Sequence, residues 1–473
     1  MSINQENSFK PSLSLVDATM IVAGSMIGSG IFIVSAEVAR SMGSSGWMMA
    51  MWVLAGIVTL IAALSYGELS GMFPKAGGQY VYLREAYNPF IAFLFGWTQF
   101  GVIQTGTIAA VAMAFAKYVG YLAPELGEKN YLFEIGSFHV SVAQVVAMLS
   151  VILLTFINTK GVKNGKIIQT VFTFTKLFSL FGLIIFGLII GAKAEIWNAN
   201  WANAWELNSL SMADGQLVTT GLTTMAFFGA VAVSMKGTLF SSDAWNNVTF
   251  IAGEIKNPQK NIGRALFLGT FIVTIIYVAA NFMYLAVLPF NEIAFAPSDR
   301  VGVAAAERIF GAGVGAATIA VMIIISTFGC NNGLILSGAR IYYTMAKDGL
   351  FFKQAGELNK DDVPGFGLWI QCAWTCVLCL SGKYNDLLAM VIFGVLVFYV
   401  ITILGIFILR KTRPDVPRSY KAFGYPVLPA LYILIALSLA ILLLIYEPNY
   451  AIPGLGIILL GIPLYFIAQR SKK

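Results

Sequence analysis

The sequence predicts an all-α polytopic membrane protein of twelve spans, the first ten forming a 5+5 inverted repeat and the last two added at the C-terminus. Three observations predict it. Of 473 residues, 58% are hydrophobic and only 11% charged, against roughly 25% charged in a soluble chain. Apolar runs of about 20 residues, each long enough to cross a bilayer, recur from one end to the other. Two of these runs, five spans apart, are interrupted by small and polar residues, which is the pattern an inverted repeat of five helices produces.

In order, the expected spans are roughly 17–40, 46–71, 90–120, 140–158, 167–191, 217–254, 264–289, 311–346, 366–382, 385–410, 423–446 and 451–468. No stretch is long and polar enough for a separate soluble domain, so 1–473 reads as a single transmembrane domain. Within it, 1–16 is a tail, 17–191 the first repeat, 217–410 the second, and 423–468 the last two spans. Met1 to Val16 has neither a basic n-region nor a small-residue cleavage site, and no removable signal peptide is expected.

The formal charge of +7 would point to nucleic acid in a soluble chain. Here the cations mark loops instead, and no nucleic-acid partner is expected. Lys10, Lys75, Arg84, Lys160, Lys163, Lys166, Lys256, Lys260, Arg264, Lys347, Lys353 and Lys360 fall in the N-terminal tail or even-numbered loops. So do Arg410, Lys411, Arg413, Arg418 and Lys421, with Arg470, Lys472 and Lys473 at the C-terminus. By the positive-inside rule both termini are cytoplasmic.

Cys330, Cys372, Cys376 and Cys379 all lie inside apolar spans. The C-x-x-C spacing of the last two reads as core filling, not as a metal or redox pair. His139 is the only histidine and reads as an interfacial polar residue. With one histidine and no close acid pair in the spans, no metal, no cofactor and no enzyme chemistry are expected.

The first break is Gly24-Ser25-Met26-Ile27-Gly28-Ser29-Gly30-Ile31-Phe32. Three glycines and two serines in seven residues hold a helix poorly. Alone, they fit either close helix packing or an opened backbone lining a polar cavity. The sixth run, Leu217 to Glu254, is too long for one crossing and is interrupted at Thr238-Leu239-Phe240-Ser241-Ser242-Asp243-Ala244-Trp245. Two breaks together favour binding. Half-helix N-termini offer N–H groups to an anion, and unwound carbonyls face a cation. A zwitterion matches both without any charged side chain.

These motifs resemble the amino acid–polyamine–organocation superfamily, and within it the L-type amino acid transporter family, from about Ser14 to Pro429. Gly24 to Phe32 resembles the family's first helix. Tyr66-Gly-Glu-Leu-Ser-Gly-Met-Phe-Pro-Lys-Ala-Gly-Gly-Gln-Tyr80 resembles its signature between spans two and three. Phe240 to Trp245, with Gly253 to Pro258 and Asn261, resembles the sixth helix and the loop after it. Ser337 to Tyr343 through Lys347-Asp-Gly349 matches the end of the eighth. Arg410 to Pro429, with Arg413-Pro414-Asp415 and Tyr425-Pro426, matches the loop after the tenth. Five motifs in the right order are a strong match. The resemblance implies a LeuT-type fold that moves L-amino acids across the plasma membrane by alternating access.

It further implies a substrate site at Ser25, Met26, Ile27, Gly28, Ser29 and Gly30 with Phe240, Ser241, Ser242 and Asp243. Backbone N–H groups of Ser29 and Gly30 would take the carboxylate, and carbonyls of Met26, Phe240 and Asp243 the ammonium. Phe240 would be an aromatic lid, or else ordinary core packing. Ser241, Ser242 and Ala244 stand where the family often has Ala, Tyr and Gly. The serines make the wall smaller and more polar, pointing to small or polar neutral substrates. Ala244 has less access to positive φ than Gly, so a shorter or shifted break is expected. Asp243 is read as a cap of the inner half-helix starting at Ala244-Trp245, with proton carrier as the alternative.

Lys176 lies in mid-membrane, where an ionisable group is expensive and usually functional. The resemblance places a fifth-span lysine where sodium-coupled relatives hold a cation, which implies sodium-independent transport by exchange or proton linkage. A snorkelling lysine is the alternative. Lys236 could line an outer vestibule, pair with an acid or reach the headgroups, and is not assigned to the site. Glu68, Lys75, Glu254, Lys256, Arg340, Lys347 and Asp348 gather near the inner ends of spans two, six and eight. They read either as a gate of ion pairs or as ordinary exposed pairs worth under about 1 kcal/mol each.

A cationic amino acid or polyamine carrier is the alternative within the transporter class; it needs acids near the breaks, and Asp243 is the only one. Animal members of the family join an ancillary glycoprotein through a cysteine between spans three and four. Tyr121 to Phe138 contains no cysteine, so no disulfide-linked ancillary subunit is expected, and a carrier of a bacterial inner membrane is the simpler reading.

Overall fold

The computed structural model describes residues 11–135, 138–311, 313–381 and 384–470. Lys10, Lys472 and Lys473 of the charge pattern lie outside the described residues, as do the side chains of Lys163, Lys166 and Arg470. The helices that build the core are α1 (Leu15–Met26), α2 (Gly30–Met42), α3 (Ser45–Met72), α4 (Pro89–Leu122), α5 (Val142–Asn158), α6 (Val162–Phe186) and α7 (Thr224–Ser241). They continue with α8 (Pro258–Val287), α9 (Val314–Lys347), α10 (Gly365–Ser381), α11 (Tyr384–Thr412), α12 (Val427–Tyr446) and α13 (Pro448–Arg470).

Among the described residues nine helices are long and apolar enough to cross a membrane, and ten if α1 and α2, bent by 42°, count as one span. The shorter apolar helices α5 and α10 fall where the fourth and ninth spans are expected.

Local chemistry sets several boundaries. Ser14 and Asp17 form a reciprocal capping box at the start of α1, and Ser141 with Gln144 does the same for α5. Asn88 caps α4 ahead of Pro89. At the end of α2, Gly43 takes the left-handed conformation, φ 61°, which terminates a helix at little cost for glycine.

Two boundaries differ from expectation. Residues 217–221 are not the start of a span. They pair in a hairpin, Asn208–Ala213 with Gln216–Gly221, turned by Asp214 and Gly215, both at positive φ. That Asp-Gly signal specifies the hairpin, so the apolar Leu217 and Val218 belong to a strand. A second small hairpin, Tyr131–Ile135 with Phe138–Ser141, precedes α5. Among the described residues the architecture is therefore helical with two β-hairpins in the connections.

The inner half of the sixth run also differs. In place of a half-helix beginning at Ala244-Trp245, a turn leads to the four-residue helix Asn247–Phe250 and the 3₁₀ turn Ala252–Glu254. The cause is Ala244, which adopts φ 63° despite its Cβ.

Packing places both breaks inside the molecule. α3 lies along α8, α2 along α7, and α9 against both α4 and α6. α1 is enclosed by α6, α8 and α9, so residues 24–30 have helices on all sides.

Candidate substrate site at the paired helix breaks

α1 stops at Met26 because Ile27 leaves the helical region, at φ −76° and ψ 90°. The last carbonyls of a helix need partners from elsewhere, and here three neighbouring helices supply them. From α6, the Lys176 ammonium donates to the carbonyls of Gly24 and Ile27, the latter at 2.8 Å. From α9, the Cys330 thiol donates to the Ser25 carbonyl at 3.1 Å, and the Ser326 hydroxyl lies 3.5 Å from the Ile27 carbonyl. From α8, the Tyr277 hydroxyl lies 2.9 Å from the Met26 carbonyl.

Lys176 is fully buried. Burying a cation is costly unless oriented dipoles replace its water, and the opened turn provides them. This geometry is that of an internal tether and not of a snorkelling side chain. On the far side of the break, the first turn of α2 directs the N–H groups of Gly30 and Ile31 away from any partner within the helix.

The second break follows α7. Ser241 turns its hydroxyl back onto the Gly237 carbonyl at 2.8 Å, as serines in apolar helices commonly do. Ser242, Asp243 and Ala244 are buried. Asp243 is not a helix cap: its carboxylate accepts a 2.7 Å hydrogen bond from Tyr399 of α11, and the helix at Asn247 begins without a side-chain cap. Phe240 is buried beside these residues, and its carbonyl accepts from the Asp243 N–H at 3.2 Å.

The two breaks touch. A Cβ placed on Gly30 would lie 2.1 Å from Ser241 Oγ and 2.9 Å from Ser241 Cα. Only glycine allows so close an approach. Tyr277 also reaches the Ser241 carbonyl, at 3.0 Å.

Beyond Asp243 are two small cavities, of about 10 Å³ and about 20 Å³, each near the size that holds one water. The first is lined by amides from three elements, Gln79, Gln99, Gln104 and Asn246 among them. Asn246 donates to Gln79 at 3.1 Å and Gln99 to Gln104 at 3.0 Å. A π-helical turn in α4 at Gln99–Ile103 sits at this wall; such turns often mark functional sites. Sequence reasoning missed Gln99, Gln104, Tyr277 and Tyr399. The two glutamines carried a signal, being buried polar residues in an apolar span.

The charged residues expected as one inner cluster divide into separate pairs. Glu68, fully buried, accepts two hydrogen bonds from Arg410, one from Arg418 and one from the Ala422 N–H. Glu254 pairs with the buried Arg340 at 3.1 Å. Asp348 pairs with Arg84 and accepts from Tyr80 at 2.9 Å. Burial holds the Tyr80 hydroxyl above its ordinary range, so it remains a donor there. Lys347 lies over the Tyr343 ring. Lys256 contributes its backbone N–H to the Leu13 carbonyl, and the Lys75 and Lys256 side chains make no ion pair among the described residues. Lys236 is buried between Glu37 and Glu447, at 3.2 and 3.4 Å.

A family model described as amino acid permease matches residues 13–467. The chain belongs to the amino acid permease family. Among curated relatives, the permease is 32% identical to the serine/threonine exchanger SteT of Bacillus subtilis (strain 168), over 99% of both chains. It is 31% identical to the large neutral amino acids transporter small subunit 2 of Mus musculus, over 97% of this chain and 81% of that one. The b(0,+)-type amino acid transporter 1 of Mus musculus is 28% identical over 98% and 89%. The resemblance to the amino acid–polyamine–organocation superfamily and its L-type branch therefore holds. The permease is a membrane transporter of amino acids and not an enzyme.

Proposed function

We propose that the permease carries small neutral L-amino acids without sodium, by alternating access, through exchange or proton-linked uptake. The observation that carries this reading is the Lys176 ammonium against the Gly24 and Ile27 carbonyls. A fixed cation already occupies the opened turn, so no ion from solution is needed there. The substrate carboxylate would take the N–H groups around Ser29 and Gly30, with Ser25, Ile27 and Gly28 shaping the loop. Its ammonium would take carbonyls of Met26, Phe240 and Asp243. The Tyr277 hydroxyl now beside Met26 would give way to it, and Phe240 would cover the occupied site.

Ser241, Ser242 and the amide-lined cavity support small or polar side chains, as does the similarity to a serine/threonine exchanger. The cationic or polyamine alternative rests on Asp243 alone, whose carboxylate is engaged by Tyr399. The deciding experiment is radiolabelled uptake into proteoliposomes, loaded or empty, with and without sodium and a pH gradient. Serine, threonine and alanine should compete best. If leucine or phenylalanine outcompetes alanine and serine by about tenfold, worth roughly 1.4 kcal/mol, the small-substrate reading fails. Strong competition by arginine or putrescine would favour the alternative.

The architecture we infer is twelve spans in two inverted five-helix repeats followed by α12 and α13, with both termini cytoplasmic in a bacterial inner membrane. The pairs at Glu68, Glu254–Arg340 and Asp348–Arg84 would then act as inner gate contacts that part when the cytoplasmic side opens. The cysteine-free loop 121–138 supports a carrier without a disulfide-linked subunit.

A further inference from the structure

A pocket of about 700 Å³ opens between α3, α8 and the segment that follows α11. Its lining divides by chemistry. It holds three cations, Lys260, Arg264 and Lys421, and three large apolar side chains, Leu64, Phe267 and Phe423. Lys260 and Arg264 are four residues apart on α8, which puts both on one face. None of the three cations has an acidic partner among the described residues. Glu68, whose carboxylate meets the residue after Lys421, is engaged by Arg410, Arg418 and the Ala422 N–H. Three like charges thus line one pocket without an acidic partner among the described residues, an arrangement that favours an anion there.

The apolar residues state what kind of anion fits. Phe267 stacks on Phe271, ring centroids 5.6 Å apart, along the outward face of α8. Both rings are exposed, and Phe423 is 68% exposed. An apolar track therefore leads from the cations along a membrane-crossing helix, which a free phosphate would leave unused. We propose that this pocket binds one anionic phospholipid, its phosphate among Lys260, Arg264 and Lys421 and an acyl chain along Phe267 and Phe271. Basic pockets between membrane helices select such headgroups by charge.

The position gives the lipid leverage. The pocket wall is the α3–α8 crossing, where Gly263 faces Gly67 and a Cβ on Gly263 would make van der Waals contact with Gly67 Cα at 3.4 Å. Tyr420, from the loop, packs on the same Gly67. Three residues separate the start of α8 from the segment 247–254 that follows the second break. A lipid here fastens α3, α8 and the loop after α11 together and so favours one arrangement of the bundle over another.

The test is native mass spectrometry of the purified full-length protein with phosphatidylglycerol or phosphatidylcholine, a readout that needs no transport. One phosphatidylglycerol per chain should be retained, and phosphatidylcholine should not. The triple variant K260Q/R264Q/K421Q should lose at least about tenfold in retention, and Phe267→Ser should weaken it too. K353Q/K360Q, which removes two cations elsewhere, should retain the lipid as the unaltered chain does. If the triple variant does not remain monodisperse, single K260Q and R264Q variants carry the test, each with a loss of about threefold. Equal retention by the variants, equal retention of phosphatidylcholine, or equal competition by soluble glycerol phosphate would each overturn the proposal.

Discussion

The Tyr277 hydroxyl lies 2.9 Å from the Met26 carbonyl of one helix break and 3.0 Å from the Ser241 carbonyl of the other. One phenol from α8 therefore joins the ends of α1 and α7. Its ring is held independently, edge-on to Trp52 at 5.5 Å. Tyr277→Phe should keep that packing and remove only the bridge. A neutral hydrogen bond is worth about 0.5–1.5 kcal/mol, so exchange rates in proteoliposomes should change roughly two- to tenfold with little change in thermal midpoint. An unaltered rate would mean that the bridge does not hold the breaks together.

Lys176→Ala removes a charged donor from two buried carbonyls, leaving Ile27 only the Ser326 hydroxyl at 3.5 Å. Leaving buried acceptors unsatisfied costs about 1–3 kcal/mol each, and uptake should fall by at least about tenfold while the protein still purifies as a monodisperse species. The unaltered permease should run equally fast in sodium and choline buffers. Normal uptake by the alanine variant would remove Lys176 from the mechanism.

Gly30→Ala should be severe because the added methyl meets both Oγ and Cα of Ser241. Ser241→Ala in the same chain removes the first clash and keeps the second, so it should restore only part of the lost uptake. Full restoration would show that backbone proximity is not what requires glycine at this position.

Ala244→Gly tests the turn after α7. An alanine at φ 63° pays roughly 1–2 kcal/mol for its Cβ, partly offset by the freedom glycine has when unfolded. Thermal unfolding should show a gain of up to about 1 kcal/mol with uptake retained, whereas Ala244→Val should destabilise by about 2 kcal/mol or more. A loss of stability in the glycine variant would mean that the turn is held by contacts of the alanine methyl.

Composition and apolar run length mark most of the helices, because crossing a bilayer demands both; they misplace residues 217–221, which form a strand. The breaks are legible because there are two of them five spans apart; either one alone fits close helix packing as well. Lys176 announces itself through the cost of its burial. The rest depends on long-range partners or on backbone choices with no compositional mark. Nothing in the run around Gln99 distinguishes a π-turn from an ordinary helix. Tyr277 and Tyr399 look like any apolar-span tyrosines until α8 and α11 bring them to the breaks. The inner acids and bases look like one cluster in sequence, yet the fold assigns Glu68 to the end of α11 and the loop after it, more than 340 residues away along the chain, at Arg410 and Arg418. Ala244 argues against a left-handed turn by propensity, and tertiary packing overrides it.

The hairpin at 208–221 acts as a lever arm. Its base presses on the end of α2, where a Cβ on Gly43 would lie 2.5 Å from the Asn208 carbonyl carbon. The adjoining Gly46 N–H is bonded to the Ala204 carbonyl at 2.8 Å. Its tip is clear, with nothing within 4 Å of where a Gly215 side chain would begin. A fluorophore at that tip would ride on the first broken helix and report its tilt from a polar site outside the transport path.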